Sequence, residues 1–373
     1  MNRRNVSAFG GLILGLLLGM NPDLAHAQGE TADILVVSKP PPPAVPSDPP
    51  QGLIFSLRGD MSASSVTFDT QNTVEGETAN VPQSLEYLRL DDAGDAYVTF
   101  DDGPDEAAPG GVMVIEDFLN RAGFDASRDR LVTGEAAGLV GPKDLALAGS
   151  GEVIVSDFAG AKLAVFDRRA SGDAAPRFVT TELGLAEAGP RRPWGLAYHA
   201  AADRLFVGGT DGTVLVFDDY LVDRGENGPD RVITPFLGGE QASANTHDLV
   251  YLADEDLLIA TDVGAATTAD QDGFDADGKV FVIGNASTVE GETEVRAQLA
   301  GSSTMLGNPV GAAFGGGAGG NGGDLFVTEK TRDTVLRFSD VLSMSGAVNA
   351  APTGAVTVAK PEAVALVSDT GSD

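Results

Sequence analysis

Cysteine is absent from this chain of 373 residues. Without thiols the protein has no disulfide, no cysteine nucleophile, no cysteine-ligated zinc and no covalently attached c-type haem. Histidine is scarce as well, because beyond His26 in a predicted leader segment the chain has only His199 and His247. Two imidazoles cannot build a three-histidine metal site. We therefore expect stability to come from a packed core.

Positive charge is also scarce. The chain has 24 lysines and arginines against 55 aspartates and glutamates, which gives a formal net charge of −31. Such a surface repels nucleic acids and anionic membranes, so neither is an expected partner. The acidity favours solubility and attracts cations, and the sequence leaves open whether it serves solubility alone.

Long apolar runs are nearly missing. The one near the N-terminus covers residues 9–20, follows Arg3 and Arg4, and precedes an Ala-His-Ala cleavage motif at residues 25–27. It is too short to span a bilayer, and this order of features predicts a signal peptide over residues 1–27. We expect a mature chain of residues 28–373 in the periplasm or the medium, with no membrane insertion after cleavage. An uncleaved anchor is the alternative.

What the chain does contain is a repeat. Residues 193–235 hold four short runs rich in β-branched and aromatic residues, separated by Asp, Gly and Asn. Each run has the length of a strand, so the segment predicts a four-stranded antiparallel meander. Similar segments begin near residues 82, 142, 246 and 309. Their spacing of roughly 50 to 60 residues is typical of propeller blades with loop insertions.

The chain ends predict how the ring closes. Residues 361–366 match a first strand, and residues 32–70 contain candidates for the other three strands of a blade. The C-terminal strand should therefore pair with N-terminal strands and complete a sixth blade, which leaves few exposed strand edges. The sequence predicts an all-β, six-bladed β-propeller in one domain over residues 28–373. An open solenoid or two sandwiches are the alternatives.

A candidate binding site follows from the Pro-x-x step at the start of each first strand. Aligned copies should place the x residues around the channel mouth, with Gln83 and Ser84 contributed by the first complete copy. The polar members are the predicted ligand-binding residues: Lys143, Asp144, Trp194, His247, Asp248 and Glu362. A Ser-His-Asp triad would require His247, and no nucleophile-elbow sequence supports it. We therefore predict no catalytic residue.

The sharpest metal-binding signal is an acidic insert between residues 261 and 279. It contains four carboxylates among small residues: Asp270, Asp272, Asp275 and Asp277. Flexible Asp-Gly loops supply the oxygen ligands that Ca²⁺ prefers, so Ca²⁺ is the cofactor that this insert predicts. The spacing departs from the EF-hand pattern, and a solvated acidic loop is the alternative. Inserts at residues 39–50 and 101–106 occupy the same repeat position, so all three should project from the channel-mouth face.

The repeat resembles a known family. Its motifs are Pro-x-Gly-Leu-Ala, Asp-x-Leu-Phe-Val, Gly-x-Val-x-Val-Phe-Asp and Asp-Arg-Val-Ile-Thr, all within residues 193–234. These look like blades of NHL-repeat and YncE-like bacterial propellers, and the likeness covers nearly the whole mature chain. Members of such families bind proteins, polymers or small ligands. The resemblance implies the fold more than the function. Together with the predicted signal peptide, it favours an exported, non-catalytic recognition propeller, expected to be a monomer, that binds a protein or a small extracellular ligand.

A second resemblance gives the alternative function. Senescence-marker-protein-like lactonases share the six-bladed ring and hold a divalent cation in the channel with Glu, Asn and Asp. Glu362, Asp144 and Asp248 could mimic that set, which would imply a divalent-metal-dependent hydrolase or lactonase. Lys143 and Trp194 intrude at equivalent positions, so the activity is not carried over.

Overall fold

The computed structural model describes residues 33–39, 52–62, 64–69, 84–101, 109–121, 123–186, 189–265, 277–315 and 323–367. Within these residues nearly all regular structure is β. The helical elements described are single turns: the α-helix Tyr220–Asp223 and the 3₁₀ segments Phe118–Asn120, Ala200–Ala202 and Val341–Ser343. The prediction of an all-β protein is confirmed.

Blades 2 to 4 follow the chain in order, each with its first strand innermost. Blade 2 consists of Leu85–Leu90, Ala96–Phe100, Gly111–Ile115 and Arg130–Thr133. Blade 3 consists of Pro142–Ala148, Glu152–Asp157, Lys162–Asp167 and Phe178–Thr180. Blade 4 consists of Pro193–His199, Arg204–Gly209, Val214–Phe217 and Arg231–Leu237. A two-stranded ladder of Leu185–Ala186 and Gly189–Pro190 precedes blade 4, and Glu240–Gln241 adds to its outer edge.

Blades 5, 6 and 1 complete the ring. Blade 5 consists of Thr246–Leu252, Leu257–Asp262, Lys279–Gly284 and Ala297–Leu299. Blade 6 consists of Pro309–Gly315, Asp324–Glu329, Thr334–Ser339 and Gly354–Thr357. Blade 1 takes its innermost strand from the C-terminus and consists of Pro361–Leu366, Ile34–Ser38, Leu53–Leu57 and Ser64–Asp69. The protein is thus a six-bladed β-propeller.

The predicted closure is confirmed by the register of blade 1. Ile34 pairs with Leu366 and Val37 pairs with Ala363 in antiparallel fashion. Every residue of Pro361–Leu366 and of Ile34–Ser38 is buried. The strands from the two ends of the chain therefore pair inside one blade, and this pairing closes the ring.

The core lies between the blades. Six clusters of buried hydrophobic residues fill the six junctions between neighbouring blades. In the junction of blades 4 and 5, for example, Phe206 packs in one cluster with Leu258 and Phe281, all fully buried. Alternate residues of each strand face the neighbours on either side, so both faces of every sheet are covered. This explains why the strands read as nearly continuous apolar runs.

Connections from one blade also cover the outer edge of the preceding blade. Gly291–Glu294 pairs in parallel with Arg231–Leu237, and Gly346–Val348 pairs in parallel with Ala297–Leu299. A single bridge between Val132 and Gly172 repeats this arrangement between blades 2 and 3. Such coverage removes strand edges that would otherwise be open to other chains.

One repeat position near the end of the second strands carries hydroxyl side chains that bond to the innermost strands, as two blades illustrate. Ser156 Oγ accepts from the Asp144 N–H at 2.9 Å and donates to the Trp194 carbonyl of the next blade. Thr99 Oγ1 does the same with Tyr87 and Lys143, at 3.0 and 2.8 Å. Each hydroxyl thus joins its own innermost strand to that of the next blade and helps to position the residues around the channel.

Candidate binding site in the channel

The register of blade 2 corrects the predicted alignment. Leu85 pairs with Phe100 just as Pro142 pairs with Asp157 in blade 3, so the equivalent of Lys143 is Glu86. The alignment through Gln83 and Ser84 was wrong by three residues, because leucine replaces the marker proline here; Gln83 lies outside the described residues. We call the end where the innermost strands begin the upper end of the channel. Its six equivalent residues are Glu86, Lys143, Trp194, His247, Val310 and Glu362.

The upper-end residues contact one another from blade to blade. Glu86 forms an ion pair with Lys143 at 2.7 Å, and the Lys143 ammonium lies 5.2 Å from the centre of the Trp194 ring. Trp194 in turn stacks on His247 with ring centroids 4.0 Å apart and planes 15° apart. Four of the six predicted ligand-binding residues thus belong to this upper end, where Lys143 and Trp194 contact their neighbours and the buried His247 Nδ1 has no hydrogen-bond partner among the described residues.

Three lysines balance the upper-end acids. Lys39 also pairs with Glu86, and Lys330 pairs with Glu362 at 2.5 Å. Lys143 lies 3.5 Å from Asp101 as well. Neither Lys39 nor Lys330 was predicted to belong to the site. Both directly follow the second strand of their blade, so comparing this repeat position across the blades would have identified them.

Burial and charge set the protonation states here. Burial raises the pKa of Glu86, but the Lys143 and Lys39 ammonium groups outweigh it and bring the pKa to about 2. The ionised Glu86 carboxylate therefore stabilises the native state fully above pH 4.5, the ordinary pKa of a glutamate, and this stabilisation is lost as the pH falls towards 2. Burial, with Lys330 and Lys143 nearby, lowers the pKa of His247 to about 3. A neutral, stacked imidazole results at physiological pH.

Just below this layer, two buried aspartates tie neighbouring blades together. Asp144 accepts from the Leu145 N–H and from the Leu196 N–H of the next blade, both at 2.6 Å. The bond to Leu196 joins blade 3 to blade 4. Asp144 was predicted as a ligand-binding residue, and its oxygens serve this junction.

Asp248 has the same role at the junction of blades 5 and 6, and it also spans the channel. Its carboxylate accepts from the Leu249 N–H at 2.7 Å and from the Ala312 N–H at 2.6 Å. It also accepts from the Tyr87 hydroxyl at 2.6 Å. Tyr87 belongs to blade 2 and Asp248 to blade 5, on the opposite side of the ring, so this hydrogen bond crosses the channel.

Arg89 lies between the two aspartates. Its guanidinium is 3.8 Å from Asp144, 4.0 Å from Asp248, 3.4 Å from the Leu196 carbonyl and 4.4 Å from the centre of the Tyr87 ring. Burial raises the pKa of both carboxyl groups, that of Asp144 to about 8. The single Arg89 guanidinium lowers both pKa values but does not cancel the effect of burying two acids. Sequence reasoning missed Arg89, which replaces alanine or valine at its repeat position.

Replacing Arg89 by methionine should destabilise the protein more at high pH. The native state retains a proton that the unfolded state releases, so stability from Asp144 falls as the pH rises from about 4 to 8. Removing the cation steepens this fall, and we expect a loss of about 3 to 5 kcal/mol at pH 8 with a smaller loss at pH 5. Urea unfolding at both pH values measures it. Arg169→Met, at an exposed site, is the control, and an equal loss at both pH values would contradict this account.

At the opposite end the channel opens into a cavity of about 610 Å³. We call this the lower end, where the innermost strands finish. Its wall has five small residues at one repeat position, namely Ala146, Ala197, Val250, Ala313 and Ala365, with Arg89 at the sixth. Larger apolar residues follow them: Leu90, Leu147, Tyr198, Tyr251, Phe314 and Leu366. The innermost strands are bonded to a neighbour on one side only, so their other edges face the channel.

The predicted calcium ligands are only partly described. Asp270, Asp272 and Asp275 lie outside the described residues, and Asp277 accepts from the Ala265 N–H at 3.0 Å. The flanking strands Leu257–Asp262 and Lys279–Gly284 place the ends of this insert at the upper end, as predicted. Among the described residues no group of three or more His, Asp or Glu side chains is placed to hold a metal ion.

Comparisons with known proteins give the fold. No protein-family model matches the chain, and no curated protein matches it either. A chain in the crystal structure of a nidogen/laminin complex is similar, with a TM-score of 0.54 and 14% sequence identity. The match covers 89% of this chain and 97% of the other. The likeness to this chain shows the propeller fold alone.

Within the described part of the chain no helix is long and apolar enough to cross a bilayer.

Proposed function

We propose that this protein is an exported, non-catalytic recognition propeller that binds a small extracellular ligand in the lower end of its channel. The cavity of about 610 Å³ carries this proposal. Its size falls in the range of small-molecule sites, and its lining combines apolar side chains with polar side chains and the free backbone edges of the innermost strands. Most predicted upper-end side chains are paired with one another or with lysines, and the cavity lies at the other end, which is why we place the ligand there.

Three features favour binding over catalysis. His247 is buried and stacked on Trp194, and its pKa is about 3. Its imidazole is therefore too weak a base, and too enclosed, to act as a general base near neutral pH. Asp144 and Asp248 accept hydrogen bonds from backbone groups of neighbouring blades. In the alternative metal-dependent hydrolase these two carboxylates would share a cation with Glu362, but Arg89 lies between them and Lys330 pairs with Glu362.

The proposal predicts that filling the cavity abolishes binding of a neutral probe. We expect 4-phenylbutan-1-ol to bind the wild type in calorimetric titration, because its apolar body matches the cavity walls. Val250→Trp places an indole at the cavity wall and should remove that binding. Val222→Trp makes the same change at a site that is 74% exposed and far from the channel, and should leave the binding intact. Retained binding in Val250→Trp, or none in the wild type, would contradict the proposal.

A further inference from the structure

The charges around the lower cavity are unequal. Its charged lining residues are Arg89, Asp254 and Glu255. Arg89 is already paired with the buried carboxyl groups of Asp144 and Asp248. Asp254 and Glu255 are exposed in the turn between the first two strands of blade 5, and neither has an ion pair or hydrogen bond among the described residues. The mouth of the cavity therefore carries an unbalanced negative field.

Aromatic rings occupy one half of the same wall. Tyr198, Tyr251 and Phe314 come from the consecutive blades 4, 5 and 6, whereas blades 1, 2 and 3 contribute leucines at the equivalent position. Hydrogen bonds fix the two tyrosines, since their hydroxyls donate to Asp203 at 2.8 Å and to Asp256 at 2.9 Å. Fixed aromatic rings attract cations through their electron-rich faces.

A nitrogen without a partner lies on the aromatic side. His199 lines the cavity with its ring 5.5 Å from that of Tyr251. Its Nδ1 is buried and has no hydrogen-bond partner in the described part of the protein. A buried polar atom of this kind is costly unless something bonds to it.

Deeper in the cavity the surroundings change. The small side chains Ala146, Ala197, Ala313 and Ala365 surround the deeper part of the cavity together with Arg89, which lies on one side. Apolar walls favour a hydrocarbon body, because its transfer from water is favourable. Most side chains in the depth of the cavity are thus small and apolar, and those at its mouth are aromatic and acidic.

We propose that the lower cavity binds an amphipathic organic cation, with its apolar body in the alanine-lined depth of the cavity and its ammonium group at the mouth. Asp254 and Glu255 supply the charge, and Tyr198, Tyr251 and Phe314 supply aromatic rings. This inference rests on the proposed function and adds the chemical class of the ligand.

Three probes with the same hydrocarbon body test it: 4-phenylbutylamine, 4-phenylbutan-1-ol and 4-phenylbutanoate. Calorimetry on the full mature chain near pH 7 should show the amine binding roughly tenfold more tightly than the alcohol, and the carboxylate most weakly. Raising salt from about 0.05 M to about 0.5 M should weaken the amine and leave the alcohol nearly unchanged. Asp254→Asn with Glu255→Gln should bring the amine close to the alcohol.

Glu290→Gln with Glu292→Gln is the matched control, because it removes two exposed charges outside the cavity lining. It should preserve the preference for the amine. Equal affinities for amine and alcohol, a preference for the carboxylate, or an unchanged preference in the Asp254/Glu255 variant would overturn the inference while leaving the binding function in place. Absence of binding by all three probes would overturn both the inference and the proposed function.

Discussion

Deleting residues 361–373 is expected to abolish the native fold at room temperature. The deletion removes the innermost strand of blade 1, whose residues Pro361–Leu366 are all buried. It breaks the ladder to Ile34–Ser38 and exposes apolar surface in the junctions with blades 2 and 6. The lost burial and backbone hydrogen bonds approach the whole stability of a typical domain, about 5 to 15 kcal/mol. Circular dichroism and urea unfolding measure the result.

Two controls separate ring opening from simple shortening. Deleting residues 368–373 alone, which leaves the closing strand intact, should not change the unfolding midpoint. Adding a peptide of residues 359–367 to the shortened protein should restore some of the stability, because the missing strand can pair with Ile34–Ser38 in trans. A shortened protein with wild-type melting would show that the ring is not held by this strand.

Replacing Gly195 by alanine should produce the largest loss of stability for a single methyl group. A Cβ at this position would lie 1.9 Å from the His247 carbonyl oxygen and 2.7 Å from the Asp248 Cα, both in the next blade. Neither contact involves a flexible side chain that could move aside. The strand must shift in the layer that carries the Asp144 and Asp248 hydrogen bonds, and we expect a loss of at least about 3 kcal/mol.

Gly284→Ala is the matched control for this substitution. Gly284 also lies in a strand, and the nearest atom to an added Cβ would be a side-chain atom of Leu257 at 3.9 Å, an ordinary contact. Its stability in urea should lie within about 0.5 kcal/mol of the wild type. Similar midpoints for the two variants would mean that blades 4 and 5 do not approach as closely as described.

The blade architecture was predictable because it depends on local periodicity. Strand-length apolar runs separated by Asp and Gly recur at a similar spacing, and the three N-terminal strands with the one C-terminal strand completed the count of six blades. The same reasoning misplaced the first residues of blade 2, since Leu85 stands where other blades have proline or threonine. Glu86 and Tyr87 were missed for that reason. The finer resemblance to NHL-repeat and YncE-like propellers stays a prediction.

The site was less predictable because its contacts join distant segments of the chain. The hydrogen bond from Tyr87 to Asp248 spans 161 positions in sequence, and nothing near either residue signals the other. Arg89 could have been noticed as the one charged residue in a column of alanine and valine. The cavity itself is formed by small residues such as Ala197 and Ala313, which in sequence look like ordinary core positions.

Thiol labelling tests most directly whether the ligand binds at the lower end of the channel. The natural chain has no cysteine, so Val250→Cys and Val310→Cys each introduce a single thiol, one at the lower cavity and one at the upper end. Iodoacetamide labelling is followed by mass spectrometry with and without saturating 4-phenylbutan-1-ol. We predict that the probe slows labelling at position 250 and leaves the rate at position 310 unchanged. Protection at position 310, with none at position 250, would contradict the account.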